Sequence, residues 1–275
     1  MNKTVDPNDF KVFEKTEKMA LVSTIDDEGD PHISLLTTLM ARDEKTMVVG
    51  QFMQGISKEN MLKRPKSGFA IISLDMNFWT GLVDWYDVKT EGDEYIKYNN
   101  MQMWRFNTYF GIEKVHYGKL VGISDKRKLD FVGIGINYLK VAMHKKKYIE
   151  PNKSVMRPFA TKIFNGLTNP KFISFISNDG YPVLVPIVQA QASGNSRIVF
   201  SNKPYSQMFE GLKPGARVAV ECITMATESV LVKGIFSGFK KGIGFIDIDR
   251  VYNSMPPICG YIYPETPYKA VEVFE

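Results

Sequence analysis

The sequence predicts a mainly β fold with short helices (α+β), built as two tandem copies of a small antiparallel barrel. Three observations carry this. The first is a strand-turn-strand grammar that occurs twice: Ala20-Leu-Val-Ser-Thr-Ile-Asp-Asp-Glu-Gly29-Asp-Pro31 and Lys171-Phe-Ile-Ser-Phe-Ile-Ser-Asn-Asp-Gly180-Tyr-Pro182. Gly29 and Gly180 lie 151 residues apart, and Pro31 and Pro182 keep that offset. The second is that Ser57 precedes Pro65 by eight residues, and Ser206 precedes Pro214 by the same eight. The third is the run of short β-rich segments separated by turn signals, which suits a closed sheet without exposed edges.

Taken in order, each copy opens with a hairpin. Glycine accepts the positive φ of a tight connection, and the acidic residues beside it bond their own backbone. A second strand follows over His32 to Met40 or Val183 to Gln191, then a polar turn at Arg42-Asp43-Glu44-Lys45 or Ser193-Gly194-Asn195-Ser196. The third strands are Met47-Val48-Val49-Gly50 and Ile198-Val199-Phe200-Ser201. Beyond the serine and proline come Phe69 to Ile72 and Val218 to Glu221, then Gly81 to Val88 and Val230 to Phe236, all β-rich. Glu91 to Phe110 is special to the first copy and predicts a helix with Tyr95, Tyr98 and Met101 to Trp104 on an aromatic face. Gly133-Ile134-Gly135 and Gly242-Ile243-Gly244 lack the third glycine of a dinucleotide fingerprint and read as turns. The expected domains are 1–155 and 156–275, with the boundary region between Lys147 and Lys162.

Composition narrows the function classes. Of the 275 residues 44% are apolar and 24% charged, which supports a packed core. The longest apolar runs fall far short of a membrane span. The first residues, Met1-Asn2-Lys3-Thr4-Val5-Asp6-Pro7, lack the apolar stretch of a secretory signal, so a cytoplasmic protein is expected. A net charge of +5 with dispersed lysines does not call for nucleic acid. Cys222 and Cys259 read as packing residues, and His32, His116 and His144 have no metal-ligand spacing, so no metal site is expected. His116 reads as a surface strand residue. Trp79, Trp85 and Trp104 read as core or barrel-rim residues.

The segment richest in chemistry is Gly50-Gln-Phe-Met-Gln-Gly-Ile-Ser-Lys-Glu-Asn-Met-Leu-Lys-Arg-Pro65. Ser57 is expected as the N-cap of a short helix stopped by Pro65. Such a helix start, with free amides, a hydroxyl and Lys58 alongside, is also what a phosphate group requires. The plain reading, a capped connector, stays open at this level.

Gly55-Ile56-Ser57-Lys58-Glu59-Asn60-Met61, followed by Arg64-Pro65 and an apolar strand, resembles the flavin-binding split-barrel family related to pyridoxamine 5′-phosphate oxidase. The hairpin around Gly29 and Pro31 looks like that family's opening hairpin. Phe78-Trp79-Thr80-Gly81, Glu94-Tyr95, Tyr98-Asn99-Asn100 and Tyr109-Phe110-Gly111 are similar to a tandem subgroup of it. The resemblance implies two split β-barrels forming an internal pseudo-dimer, with FMN as cofactor. It implies that Ser57 and Lys58 contact the phosphate and that Asn60, in the same motif, belongs to the cofactor site. Thr37 and Thr38 would face the ring, and Gly50, Gln51 and Phe52 would line the crevice. Ile56 departs from the pattern, standing where the family often has lysine. The second copy departs further: Ser201-Asn202-Lys203-Pro204-Tyr205-Ser206-Gln207-Met208 keeps the serine and a lysine and loses the glycine and asparagine, a reduced site.

The function expected is therefore a flavin-dependent oxidoreductase of an unidentified small molecule, partnered by that substrate or a redox protein and by neither nucleic acid nor membrane. A non-catalytic binder of FMN, haem or a deazaflavin is the alternative, and further pairing into a homodimer is open. A flavin carries its own redox chemistry, so no triad or paired carboxylates are required.

Overall fold

A computed structural model describes residues 1–52, 55–101, 111–224, 226, 228–254 and 259–264. The chain divides into two compact units, Met1–Leu129 with Asp179–Leu184, and Asp130–Asn178 with Val185–Glu275. The expected boundary at 155/156 falls inside the second.

The first unit holds β1 (Lys18–Ile25), β2 (Pro31–Leu35), β3 (Met40–Ala41), β4 (Thr46–Gln51), β5 (Lys66–Ser73), β6 (Asn77–Lys89), β7 (Lys114–Ile123) and β8 (Arg127–Lys128), with helices α1 (Phe10–Glu14), α2 (Ile56–Lys63) and α3 (Asp93–Asn100). Its antiparallel sheet runs β2-β1-β5-β6-β7-β4-β3, and β8 pairs with β6. The second unit begins with α4 (Phe131–Lys145) and α5 (Pro158–Phe164). The second sheet is formed by β9 (Lys171–Ile176), β10 (Pro182–Pro186, of which 182–184 divide with the first unit), β11 (Gln191–Ser193), β12 (Arg197–Ser201), β13 (Arg217–Ile223), β14 (Ser229–Lys240), β15 (Ile243–Asn253) and β16 (Gly260–Tyr263). Their order is β10-β9-β13-β14-β15-β12-β11, the same path in the same sequence order.

The topology makes each sheet curl. β2 and β3 lie at opposite ends of the strand order, yet only residues 36–39 join them. Five Cα steps span at most about 18 Å, so the two ends of the sheet must approach each other. Residues 187–190 impose the same closure on the second sheet. This also corrects the expectation of one strand over His32 to Met40 and another over Val183 to Gln191. Each is broken by a turn, with Leu39 N donating to Leu36 O at 3.0 Å and Ala190 N to Ile187 O at 2.8 Å, because the chain must leave one edge and join the other.

A buried lysine supports that turn in each unit. Lys18 Nζ donates to Thr37 O at 3.0 Å and Lys171 Nζ to Val188 O at 3.0 Å. Burial pushes both ammonium groups down to about 8. The opening hairpins match as well: Gly29 and Gly180 have φ of +82° and +78°. In the first, Asp26 Oδ1 accepts from Glu28 N at 3.0 Å and Asp30 N at 2.9 Å.

Inward faces of the first sheet form a core around Phe13, Phe69, Ile71 and Trp79. In the second, Phe200, Phe209, Phe236 and Phe239 stack with centroid separations of 4.9 to 5.8 Å.

Two further expectations change. Gly133-Ile134-Gly135 is no turn: it lies in the first half of α4, whose N-cap Asp130 accepts from Gly133 N at 2.8 Å. Gly242 does form a turn, at φ +78°, leading into β15. Cys222 is buried as expected, whereas Cys259 is exposed. Among the described residues, no helix is long and apolar enough to cross a membrane.

Candidate functional site

The expected site residues gather where β4 ends, α2 begins and β7 starts. β4 pairs antiparallel with β7, Val49 opposite His116 and Gln51 opposite Lys114. Alternation then puts Val49, Gln51 and His116 on one face of the ladder. His116 Nε2 lies 2.7 Å from Gln51 Oε1, and Gln51 Nε2 donates to Glu113 Oε2 at 3.2 Å. Because Gln51 orients its carbonyl toward the imidazole, Nε2 carries the hydrogen, and Nδ1 is left as a buried acceptor with no hydrogen-bond partner among the described residues. Burial first, then the Lys58 and Lys114 ammonium groups, push His116 down to about 4, so the ring is neutral at pH 7. His116 is only 1% exposed, which corrects the reading of it as a surface residue. β7 is buried on both faces from Val115 to Gly118, so alternation along the strand offers no signal for its placement.

α2 begins at Ile56 with Gly55 as N-cap, extended at φ −177° and without a side chain to cap the first turn. Ser57 is thus the second helical residue rather than the cap. The helix starts two residues earlier than expected, and Ser57, Asn60 and Met61 are its buried residues. Asn60 Nδ2 donates to Thr24 Oγ1 at 3.0 Å, which ties the helix to β1. Among the described residues, a Cβ placed on Gly55 would meet only Lys58 Nζ, at 3.9 Å.

Beside the helix start, Thr38 Oγ1 donates to Gly50 O at 2.7 Å, and Tyr98 O–H points to Thr38 O at 2.5 Å with Val48 O at 3.2 Å. Burial raises Tyr98 well above the usual phenol range, so it remains a neutral donor. α3, expected from the sequence, contributes this tyrosine; Tyr95, Met101 and Phe52 pack around the same cluster. Residues 102–104 of the expected aromatic face lie outside the described residues. At Gly50 a Cβ would come within 2.7 Å of Ile112 Cδ1, so the strand end is closely packed on that side. Thr37 is half-buried and receives Lys18 through its carbonyl.

Thr38, Gly50, Gln51, Ser57, Lys58 and Asn60 therefore lie on three adjoining elements. Threonine and asparagine serve the scaffold, while Gln51, His116 and Lys58 supply neutral hydrogen-bonding groups and one cation. Among the described residues no group of three His, Cys, Asp or Glu side chains converges to hold a metal.

The second unit has the same ladder and different chemistry. Phe200 faces Gly244 where Val49 faces His116. A Cβ on Gly244 would lie 2.8 Å from Phe236 and 2.9 Å from Phe239. Gln189 replaces Thr38 and donates to Ser201 O at 2.7 Å, preserving the strand-end clasp. The helix is cut to a 3₁₀ turn over Ser206–Phe209. Where the first unit has Gln51 and His116, the second is filled with phenylalanine.

No family model matches the sequence, and no curated protein matches it. Solved structures resemble parts of it. HupZ of Group A Streptococcus aligns at 18% identity over 43% of this chain and 91% of its own, with a TM-score of 0.36. An FMN-binding protein of Syntrophomonas wolfei aligns at 17% identity over 44% of this chain and 83% of its own, TM-score 0.36. A candidate pyridoxamine 5′-phosphate oxidase of Lactobacillus delbrueckii aligns at 15% over 45% and 95%, TM-score 0.34.

Proposed function

We propose that the first unit binds FMN where β4 meets α2, and that the chain is a flavin-dependent oxidoreductase acting on a small molecule. The observation that carries this is the helix start beside Lys58, adjoining the buried Gln51–His116 pair, in one unit and its replacement by packed phenylalanines in the other. When bound, FMN supplies the hydride or electron chemistry. Lys58 and the first-turn amides of α2 would hold its phosphate, since dipole, donors and cation coincide there. Gln51 would present its amide to the polar edge of the ring system, held in place by His116 and Glu113. Thr38, Tyr98 and Asn60 keep those groups in position and exclude water from the strand end.

The first test is the absorption spectrum of the purified protein, with and without added FMN. Flavin bands support the reading, a Soret band replaces FMN with haem, and a colourless protein that takes up no FMN overturns it. Bleaching by NADH or NADPH would mark an enzyme; an inert bound flavin would mark a carrier. Lys58→Ala is expected to weaken FMN binding by about 1.5–3 kcal/mol, the range for a lost charge-assisted hydrogen bond. Fluorescence titration of the two proteins reads the difference, and equal affinities would move the phosphate elsewhere.

A further inference from the structure

Helix α4 carries an apolar face that the protein leaves uncovered. Val132 is 75% exposed, Ile136 63%, Leu139 65% and Met143 71%, with Phe131 at 57% beside them. Spacings of four, three and four put these four on one stripe of the helix. Gly135 lies alongside, and a Cβ there would meet nothing within 4 Å. The helix cannot roll to hide the stripe. Its other face buries Ile134, Asn137 and Val141. Ser201 Oγ donates to Asn137 Oδ1 at 2.8 Å, Gln191 Nε2 to Tyr138 O at 2.7 Å and Ser193 Oγ to Lys145 O at 2.5 Å.

We propose that this face is the interface between two copies of the chain, which pair through α4 as an antiparallel, two-fold-related helix pair. The stripe is self-complementary in that sense. About an axis between Asn137 and Tyr138, Val132 lies opposite Met143 of the second copy and Ile136 opposite Leu139, so four large apolar layers form from one sequence. The alternating four- and three-residue spacing is that of a coiled-coil seam, and Gly135 leaves a hollow beside the central layer. Antiparallel packing also opposes the two helix dipoles and brings the exposed Lys146 and Lys147 end of each helix to the Asp130 end of the other. The four stripe side chains, offering on the order of 100 Å² each, give about 800 Å² over both copies, the size of a weak, reversible pairing. A helix lying on a lipid surface needs a broad apolar face flanked by basic residues. Here only a narrow ridge projects, because the remainder of α4 is docked on the second sheet.

Sedimentation equilibrium of the full chain at micromolar concentration is expected to show twice the chain mass of 31.3 kDa. Ile136→Lys with Leu139→Lys should raise the dimer dissociation constant at least a hundredfold while leaving the circular dichroism and melting profile of the monomer intact, since both positions are exposed within one chain. Register has its own test. In a Cys259→Ser background, chains carrying Ile136→Cys mixed with chains carrying Leu139→Cys should form a disulfide-linked heterodimer faster than either forms alone. A monomeric parent, a dimer indifferent to the lysine pair, or equal cross-linking of all combinations overturns the proposal. So does a monomer that binds phosphatidylcholine–phosphatidylglycerol vesicles and loses them with the lysine pair, which would assign the face to lipid.

Discussion

Replacing Trp79 with alanine is expected to destabilise the first unit by about 3–5 kcal/mol, the range for truncating a buried tryptophan. The side chain is 2% exposed on β6 and packs edge-on against Phe13, with ring centroids 5.1 Å apart at 88°. That contact fixes α1 to the sheet, so the lost volume opens a cavity beneath a short helix that cannot stand alone. A polar term adds to the packing term. Trp79 Nε1 donates to Asp9 Oδ2 at 2.9 Å, and the Asp9 carboxylate also pairs with Lys126 at 2.9 Å, whose ammonium lies 5.6 Å from the indole centroid. Trp79→Phe keeps part of the ring contact while removing the donor and some buried volume, so it should cost less than the alanine change, about 1–3 kcal/mol. Urea unfolding followed by far-ultraviolet circular dichroism measures both. Hydrogen exchange should place the loosening in residues 1–129. A cost below about 1 kcal/mol for the alanine variant would show that Phe13 and its neighbours refill the space.

The features that turned out to be legible in the sequence are those in which local chemistry and tertiary demand coincide. The hairpins at Gly29 and Gly180 needed a positive φ, and glycine with flanking acidic residues announces that need. The repeat appeared twice, as strings and again as two sheets of one strand order. The strand breaks after Leu35 and Pro186 are hidden because β-compatible residues, Leu36-Thr37-Thr38-Leu39 and Ile187-Val188, continue past them; the break comes from ring closure, which no local window contains. α4 was hidden for the opposite reason. Gly133 and Gly135 disfavour a helix by about 1 kcal/mol each relative to alanine, and they drew the reading toward a turn. Tertiary packing overrides that cost: Ile134, Asn137 and Val141 recur at three and four and all face the second sheet. Asp130, three residues ahead of Gly133, was the available N-cap signal.

Within the candidate site, residue types were readable and their duties were not. Lys58 sits in the first turn of α2 and Gln51 at the end of β4, the positions on which the proposed FMN site rests. Asn60 and Thr38 belong to the same motif but spend their side chains on Thr24 and the Gly50 carbonyl. His116 arrives from β7, 58 residues after Lys58 in sequence, through strand pairing alone. The second unit differs at the matching register position, where Gly244 stands in place of His116 and Phe236 and Phe239 pack against it.

Glu221 gives the second large effect, one that depends on pH. It is fully buried on β13; its Oε1 accepts from Ser229, which in turn contacts Ser254, and its Oε2 has no hydrogen-bond partner among the described residues. Burial, only partly offset by the serine hydrogen bonds, raises its carboxyl to about 8 from 4.5. Between those values the folded protein holds a proton that the unfolded chain releases, so this group lowers stability as pH rises from about 4.5 to 8, at up to about 1.4 kcal/mol per unit. Above pH 8 the loss is complete; below 4.5 it is absent. His116 acts in the opposite sense, its ring held at about 4 in the fold, and adds stability as pH rises from about 4 to 6.5. Lys18 and Lys171, lowered to about 8 from 10.5, add stability only above pH 8. The difference between the parent and Glu221→Gln cancels those contributions and isolates the carboxyl. Glutamine keeps the bond to Ser229 and cannot ionise. Its unfolding free energy relative to the parent should therefore climb by several kcal/mol between pH 5 and pH 8, read from urea transitions at each pH. A difference that stays flat across that window would mean that the parent's carboxyl ionises in the fold at its ordinary pH, with water or a shifted Ser229 reaching Oε2.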